Sequence, residues 1–218
     1  MYDAVQERIV AYEQEILRRL GEMEADEPPQ PTAPPLQNTN KAKAIKKRGQ
    51  EAKRQALYRM SGVDMTQIDA VGVETVEVVL SEYGPDLSRF PTEKQFVSHV
   101  TLAPRVPQSG AKPVKKKKRN SASTRVAAAL RMAALSLRHS QTALGSYYRR
   151  IAQRCGGDIA VFATARKLAT LVYRLLRWGQ PYVDEGAAAY ENRYRQHRIA
   201  RLADTAKQLG YQLTPVTA

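Results

Sequence analysis

The sequence predicts a mostly α fold, in which a helical spacer precedes a compact helical domain with a helix-hairpin-helix-like element and a long basic loop. Apolar residues recur at helical spacing along most of the 218 residues, and prolines or glycines separate the periodic stretches. No convincing alternation of apolar and polar residues predicts a strand. With 43% hydrophobic residues and one cysteine, the chain can bury a modest core but has no disulfide framework.

Residues 1–24 are predicted to form an amphipathic, coiled-coil-like helix, because apolar residues recur every three or four positions. These residues are Val5, Ile9, Tyr12, Ile16, Leu20 and Met23. A helix that packs on its own domain is the alternative. Residues 25–40 hold five prolines and are expected to be an extended linker. Residues 41–61 are predicted to be a basic helical segment that Gly49 interrupts.

Residues 62–183 are predicted to form the compact domain, which begins with the helix-hairpin-helix-like element. A turn around Gly72 would place the N-terminal amides of the following helix against a phosphate. Glu74 and Glu77 lie in the first turn of that helix, where they stabilise the helix end but would repel a phosphate. A simple helical hairpin therefore remains the alternative.

Three further helices are expected downstream of a short helix that a capping box at Thr92 opens. Residues 122–155 are predicted to form one continuous helix, and Asp158 is predicted to cap a second over residues 159–178. The apolar stripes of these two helices are expected to form the core. Residues 184–218 are interpreted as a C-terminal helix and tail.

The charge of the chain predicts a polyanionic partner. The 35 Lys and Arg residues exceed the 21 Asp and Glu residues, which gives a formal net charge of +14. No carboxylate lies between Glu93 and Asp158, so one sign of charge dominates that segment. DNA or RNA is the expected partner, and a merely soluble basic surface is the alternative. The residues predicted to bind nucleic acid are Arg105, Lys112, Lys115, Lys116, Lys117, Lys118, Arg119, Arg125 and Gly72.

The loop over residues 102–121 contains a candidate nucleophile, Ser109. Three prolines and a glycine break this segment, so we expect it to be irregular and exposed. A serine hydroxyl can attack phosphorus when nearby positive charge stabilises the developing oxyanions, and Arg105 and Lys112 could supply that charge. Gly110 would allow a phosphate to approach the backbone closely. By itself, however, a Ser-Gly pair in a loop is typical of ordinary turns.

The sequence predicts neither a metal site nor a membrane segment. Metal-dependent nucleases hold divalent ions with clustered carboxylates, and the most basic half of this chain has none. No apolar run approaches the roughly 18 residues that a membrane span requires, and no leader pattern opens the chain. We therefore expect a cytoplasmic protein that does not bind membranes.

Five sequence blocks follow one another along the chain. They are AVGVETVEVVLSEYG (70–84), RFPTEKQFVSHVTLAPR (89–105), QSGAK (108–112), RVAAALRMAALSL (125–137) and ARKLATLVYRLLRWGQPY (165–182). In order and spacing these blocks resemble the C-terminal transposase domain of the IS-110 family of insertion-sequence transposases, which combines a serine recombinase activity with a RuvC-like domain. The resemblance covers about half of the chain.

The resemblance implies that Ser109 is the nucleophile of a composite active site. Ala111 stands where the family pattern usually has a second glycine. Family members carry an N-terminal RuvC-like domain with four acidic residues that bind magnesium, and we expect that domain to be missing here. No cofactor is then expected in this chain, and the chain would be a truncated transposase or half of a split enzyme, inactive alone.

The implied partners are the DNA of the insertion-sequence ends and of the target. A structured guide RNA and further copies of the chain, associated through helices, are also implied, in a nucleoid-associated prokaryotic protein. Two other hypotheses remain open. The chain could be a non-catalytic nucleic-acid-binding remnant, or a helical interaction subunit that pairs through its N-terminal helix.

Overall fold

A computed structural model of the chain describes residues 2–24, 32–103, 108–109, 112–113, 125–179 and 184–214. In these ranges the fold is mostly α, as the sequence predicts. The nine helices there are α1 (Tyr2–Glu24), α2 (Thr39–Lys47), α3 (Glu51–Ser61), α4 (Val73–Tyr83), α5 (Glu93–His99), α6 (Arg125–Ser136), α7 (Ala143–Cys155), α8 (Gly157–Trp178) and α9 (Gly186–Gln208). Among the described residues, no helix is long and apolar enough to cross a membrane.

Helix α1 leaves much of its apolar stripe exposed. Val5, Ile9, Tyr12 and Ile16 are between 38% and 69% exposed. The helix contacts α3, where Glu13 lies 3.9 Å from the Lys53 ammonium. The helix itself matches the sequence-based expectation, whereas its pairing in a coiled coil stays a prediction.

A buried ion pair holds the segment after α1 against the compact domain. Arg54 is only 4% exposed and lies 2.6 Å from the Asp64 carboxylate. The same guanidinium donates to the Pro34 carbonyl oxygen at 2.5 Å. Burying a charge is costly unless it is paired and hydrogen-bonded, and this pair meets both conditions. Residues 32–38, in the part of the predicted linker that the structure describes, are thus docked on the domain, and residues 39–40 already belong to α2.

Lys41 adds a second polar contact between α2 and the domain. Its ammonium donates to the carbonyl oxygens of Ile68, at 2.8 Å, and Thr66. Burial lowers the pKa of Lys41 from 10.5 to about 8, although nearby Asp69 and Asp64 act in the opposite direction. Between α2 and α3, Gly49 has a φ of 67°, so the predicted interruption is confirmed.

The core is larger than the helix pair that the sequence predicts. Helix α8 lies at its centre and packs against α5, α6 and α7, while α4 packs on α6. Leu168, Ala169, Val172 and Tyr173 of α8 are fully buried. The stretch from 65 to 102, which precedes the predicted pair, also contributes fully or almost fully buried side chains. These include Met65, Ile68, Val71, Val73, Val79, Leu87, Phe96, Val97 and Val100.

The continuous helix predicted over residues 122–155 is wrong. Helix α6 ends at Ser136, a 3-10 turn follows at Leu137–His139, and α7 begins at Ala143. Thr142 causes the break, since its hydroxyl accepts a hydrogen bond from the Gly145 amide at 3.2 Å and so caps a new helix. Ser140 is extended, with φ −71° and ψ 140°. The predicted cap at Asp158 is also wrong, because α8 begins at Gly157 with Asp158 in its first turn.

The tight turn between α6 and α7 predicts that Gly145 tolerates no side chain. A Cβ at position 145 would lie 2.2 Å from the Ser140 carbonyl oxygen, which belongs to the backbone and cannot rotate away. We expect Gly145→Ala to lower the free energy of unfolding by about 2–3 kcal/mol, measured by urea denaturation.

Gly157→Ala is the matched control, because no atom lies within 4 Å of the added Cβ. Alanine there is expected to raise the free energy of unfolding by up to about 1 kcal/mol, since it favours the helix over the unfolded chain. Equal effects of the two substitutions would contradict the proposed packing of the turn.

Candidate nucleic-acid interface

The segment that carries Ser109 connects α5 to α6. Leu102, just before the segment, is 4% exposed, and Val126, in the first turn of α6, is fully buried. Thr101 takes a positive φ of 66°, which ends the run of α5 and redirects the chain. Both ends of the segment are therefore fixed to the same core.

Ser109 and Lys112 lie opposite each other in a short antiparallel ladder. Gln108–Ser109 forms strand β1, Lys112–Pro113 forms strand β2, and Ser109 pairs with Lys112 in the register. Opposed residues in such a ladder have Cα atoms about 4.5–5.5 Å apart. This corrects the expectation that residues 102–121 lack regular structure. Two residues of sequence separate the strands, which is the spacing of the commonest β-hairpins.

An aromatic cluster fixes α5, and thus the start of the segment, to α4 and α8. Phe90 and Phe96 meet edge to face at 5.4 Å between ring centroids, and Tyr83 meets Phe96 at 5.3 Å. The Tyr173 hydroxyl of α8 donates to the Phe90 carbonyl oxygen at 2.6 Å. Burial raises the pKa of Tyr83, while the Arg89 guanidinium over its ring acts against that shift. Edge-to-face ring pairs contribute more stability than their buried area alone, so this cluster holds α5 firmly against α4 and α8.

An ion pair reinforces the same junction. Arg174 of α8 donates to the Glu93 carboxylate of α5 at 2.7 Å. This hydrogen bond raises the pKa of Arg174, so the guanidinium stays charged. A cap further stabilises the start of α5. The Thr92 hydroxyl accepts a hydrogen bond from the Gln95 amide at 3.3 Å, as the sequence predicts.

The structure describes four of the predicted site residues: Ser109, Lys112, Arg125 and Gly72. Arg125 is exposed at the start of α6, with its guanidinium 3.4 Å from the Glu82 carboxylate. The remaining predicted residues, Arg105, Lys115, Lys116, Lys117, Lys118 and Arg119, lie outside the described residues. The ladder thus brings the candidate nucleophile beside one candidate cation.

The region around Gly72 differs from the predicted hairpin. Only a 3-10 turn, Met65–Gln67, stands between α3 and α4, and the positive φ of 66° falls on Ala70. Gly72 is the N-cap of α4 with φ −81°, which any residue adopts. A Cβ at Gly72 would lie 3.6 Å from the Glu74 carboxylate. A negative group therefore already lies at this helix end, and phosphate binding at Gly72 stays a prediction.

Among the described residues, no three or more His, Cys, Asp or Glu side chains come together in a way that could hold a metal ion. Two acidic groups of that part have other partners: Glu77 lies 2.8 Å from the Lys53 ammonium, and Asp184 accepts from the Ala143 amide at 2.9 Å. The resemblance implies magnesium only in a RuvC-like domain and not on these residues.

A second basic surface, formed by α7, α8 and α9, was missed by the sequence analysis. Arg150 lies over the rings of Tyr194 and Tyr190, at 3.9 and 5.0 Å from their centroids, and Lys167 lies 4.9 Å from the Tyr147 ring. Burial lowers the pKa of Lys167, and the neighbouring cations Arg193 and Arg150 lower it further. One sequence pattern could have indicated this surface: Tyr190 and Tyr194 are four residues apart, which places both on one face of a helix.

Residues 64–149 match the sequence profile of the Transposase IS116/IS110/IS902 family. No curated protein and no solved structure matches the chain. The matched range includes the Ser109–Lys112 ladder, α4, α5, α6 and the first half of α7.

Proposed function

We propose, from the match of residues 64–149 to the Transposase IS116/IS110/IS902 family, that the chain binds DNA and supplies Ser109 as the nucleophile of strand transfer. The observation that carries the proposal is the position of the matched range, which includes both Ser109 and the ladder partner Lys112. A nucleophile needs a defined position, and the two residues that flank its segment in the described part of the chain, Leu102 and Val126, are both buried in one core.

The proposed reaction is a transesterification at a DNA phosphate. The Ser109 Oγ forms a bond to phosphorus while the bond from phosphorus to the leaving deoxyribose oxygen breaks. The serine proton passes to a base, and the leaving oxygen takes up a proton. The product is a phosphoserine-linked strand, which a second DNA hydroxyl can release by the reverse chemistry. Lys112 and Arg105 stabilise the negative charge on the phosphoryl oxygens during both steps.

The rest of the basic loop holds the DNA backbone. Lys115 to Lys118 and Arg119 supply the phosphate contacts, which fix the position of the duplex without reading its sequence. Arg125 continues this surface onto α6. Its ion pair with Glu82 is exposed, and exposed pairs contribute little, so a phosphate can replace the carboxylate.

The resemblance further supports a composite active site with partners. We propose that a RuvC-like domain provides the acidic, magnesium-binding half, and that a structured RNA acts as guide. Copies of this chain associate through α1, whose apolar residues are exposed in the described part of the chain. The complex acts on the DNA of the insertion-sequence ends and of the target.

Ser109→Ala separates catalysis from binding. We expect the substitution to abolish strand joining in the complete complex and to leave the Kd for insertion-end DNA within about twofold, because a single hydroxyl adds little to a phosphate-dominated affinity. Ser98→Ala, an exposed serine on α5, is the control and should retain joining. Joining by the Ser109→Ala protein would contradict the assignment of the nucleophile.

Replacing Lys115, Lys116, Lys117 and Lys118 by glutamine should reduce the salt dependence of DNA binding. Each lost phosphate contact lowers the slope of log K against log salt by about 0.9, so the four together should lower it by up to about 4. A control with the same loss of charge replaces Lys43, Lys46, Lys47 and Lys207, which are exposed on α2 and α9. An unchanged slope in the loop variant would place the DNA-binding surface elsewhere.

A further inference from the structure

Helices α7 and α9 run side by side in the same direction and leave a cleft between them. Near their starts, the Ala143 amide of α7 donates to Asp184, just before α9, at 2.9 Å. Two turns further, the Arg150 guanidinium lies 3.9 Å from the centre of the Tyr194 ring. The cleft beyond these contacts has a volume of about 640 Å³. The α9 wall of the cleft lies entirely after residue 149, where the family match ends.

The lining of the cleft is strongly cationic. It includes four arginines, Arg149, Arg150, Arg195 and Arg198, against one carboxylate, Glu191. The carboxylate already accepts a hydrogen bond from the Ser146 hydroxyl at 3.1 Å. The excess of three positive charges in one concave surface favours an anionic ligand, because low-dielectric walls focus the field.

The arginines keep their charge available for a ligand. Arg149 donates to the Ser140 carbonyl oxygen at 2.5 Å and to the Ser146 hydroxyl at 3.1 Å, so neutral oxygens hold it in place. Arg195 and Arg198 have no carboxylate within salt-bridge distance in the described part of the chain. They lie three residues apart on α9 and therefore occupy one face of that helix.

Aromatic rings lie next to these charges. Tyr190 is buried at the base of the cleft, whereas Tyr194 keeps 37% of its surface exposed. Guanidinium groups beside an exposed tyrosine ring form the pattern of surfaces that bind single strands, since phosphates contact the cations and a base stacks on the ring. The concave lining suits single nucleotides, not the convex cylinder of a duplex.

We propose that the α7–α9 cleft binds single-stranded DNA, with phosphates on Arg149, Arg195 and Arg198 and a base stacked against Tyr194. The choice of DNA rests on the proposed function, because the strand cut at Ser109 must leave its complement before it joins another strand. The cleft is formed by different helices from those that anchor the Ser109 loop, so it is a second binding surface.

The test measures the binding of a fluorescent oligothymidylate of about 20 nucleotides, longer than a typical site of this kind. The full chain is used, both unchanged and with Lys115, Lys116, Lys117 and Lys118 replaced by glutamine, which removes the loop's contribution. In both backgrounds, Arg195→Gln with Arg198→Gln should lower the salt slope by about 1.4, since each single-strand phosphate contact contributes about 0.7. Tyr194→Leu should weaken binding about tenfold through the lost stacking.

Arg201→Gln with Lys207→Gln is the matched control, because both residues are exposed on α9 and neither lines the cleft. Tyr211→Leu is the control for the ring, since Tyr211 is 75% exposed and lies outside the cleft. Equal losses in the control and cleft variants would overturn the proposal. Binding of oligouridylate alone, with no binding of oligothymidylate, would overturn the assignment to DNA.

Photocrosslinking gives an independent outcome. An oligothymidylate with 5-iodouracil at one position should crosslink to the α9 peptide that contains Tyr194. Crosslinks confined to residues 105–119 would overturn the proposal even if the chain binds the oligonucleotide. Duplex binding and strand joining, measured on the same variants, report on the proposed function separately, because the cleft substitutions leave Ser109 and the basic loop unchanged.

Discussion

The packing of α8 is the constraint on which the rest of the structure depends. This helix is buried among α5, α6 and α7, and its Tyr173 hydroxyl and Arg174 guanidinium bond directly to the segment at residues 90–93. The loop with Ser109 starts after α5 and ends at α6, so α8 fixes both ends of the loop. A catalytic group on a loop gains its accuracy from the rigid elements at its base, and here one helix provides that rigidity.

The distribution of charge follows from the same packing. Some carboxylates of the described part of the chain form ion pairs between elements, such as Glu93 with Arg174 and Asp64 with Arg54. The loop after α5 and the α9 wall of the cleft contain arginines and lysines with few acids nearby. The structure therefore joins a folded core to a cationic cleft between α7 and α9, and the sequence places a second group of cations around Ser109.

Sequence patterns predicted what depends on local chemistry and missed what depends on tertiary contacts. Helical periodicity predicted the helices, and the Gly49 interruption and the Thr92 cap could be read directly from residue type. The Thr142 cap splits a helix whose apolar period continues on both sides, so periodicity alone hid the break. The prolines and glycine around Ser109 predicted irregular backbone. Turn-forming residues of this kind also occur beside short hairpin strands, so their presence did not exclude the ladder. The cleft could not be predicted, because it joins Arg150 to Tyr194 across 44 positions.

The most direct test of the central claim is to identify the residue that becomes covalently joined to DNA during strand transfer. Protein recovered under denaturing conditions from cells in which the insertion sequence is active would be digested and analysed by mass spectrometry. The account predicts a nucleotide adduct on the peptide that contains Ser109. An adduct on another side chain, or strand transfer without any protein–DNA adduct, would contradict it.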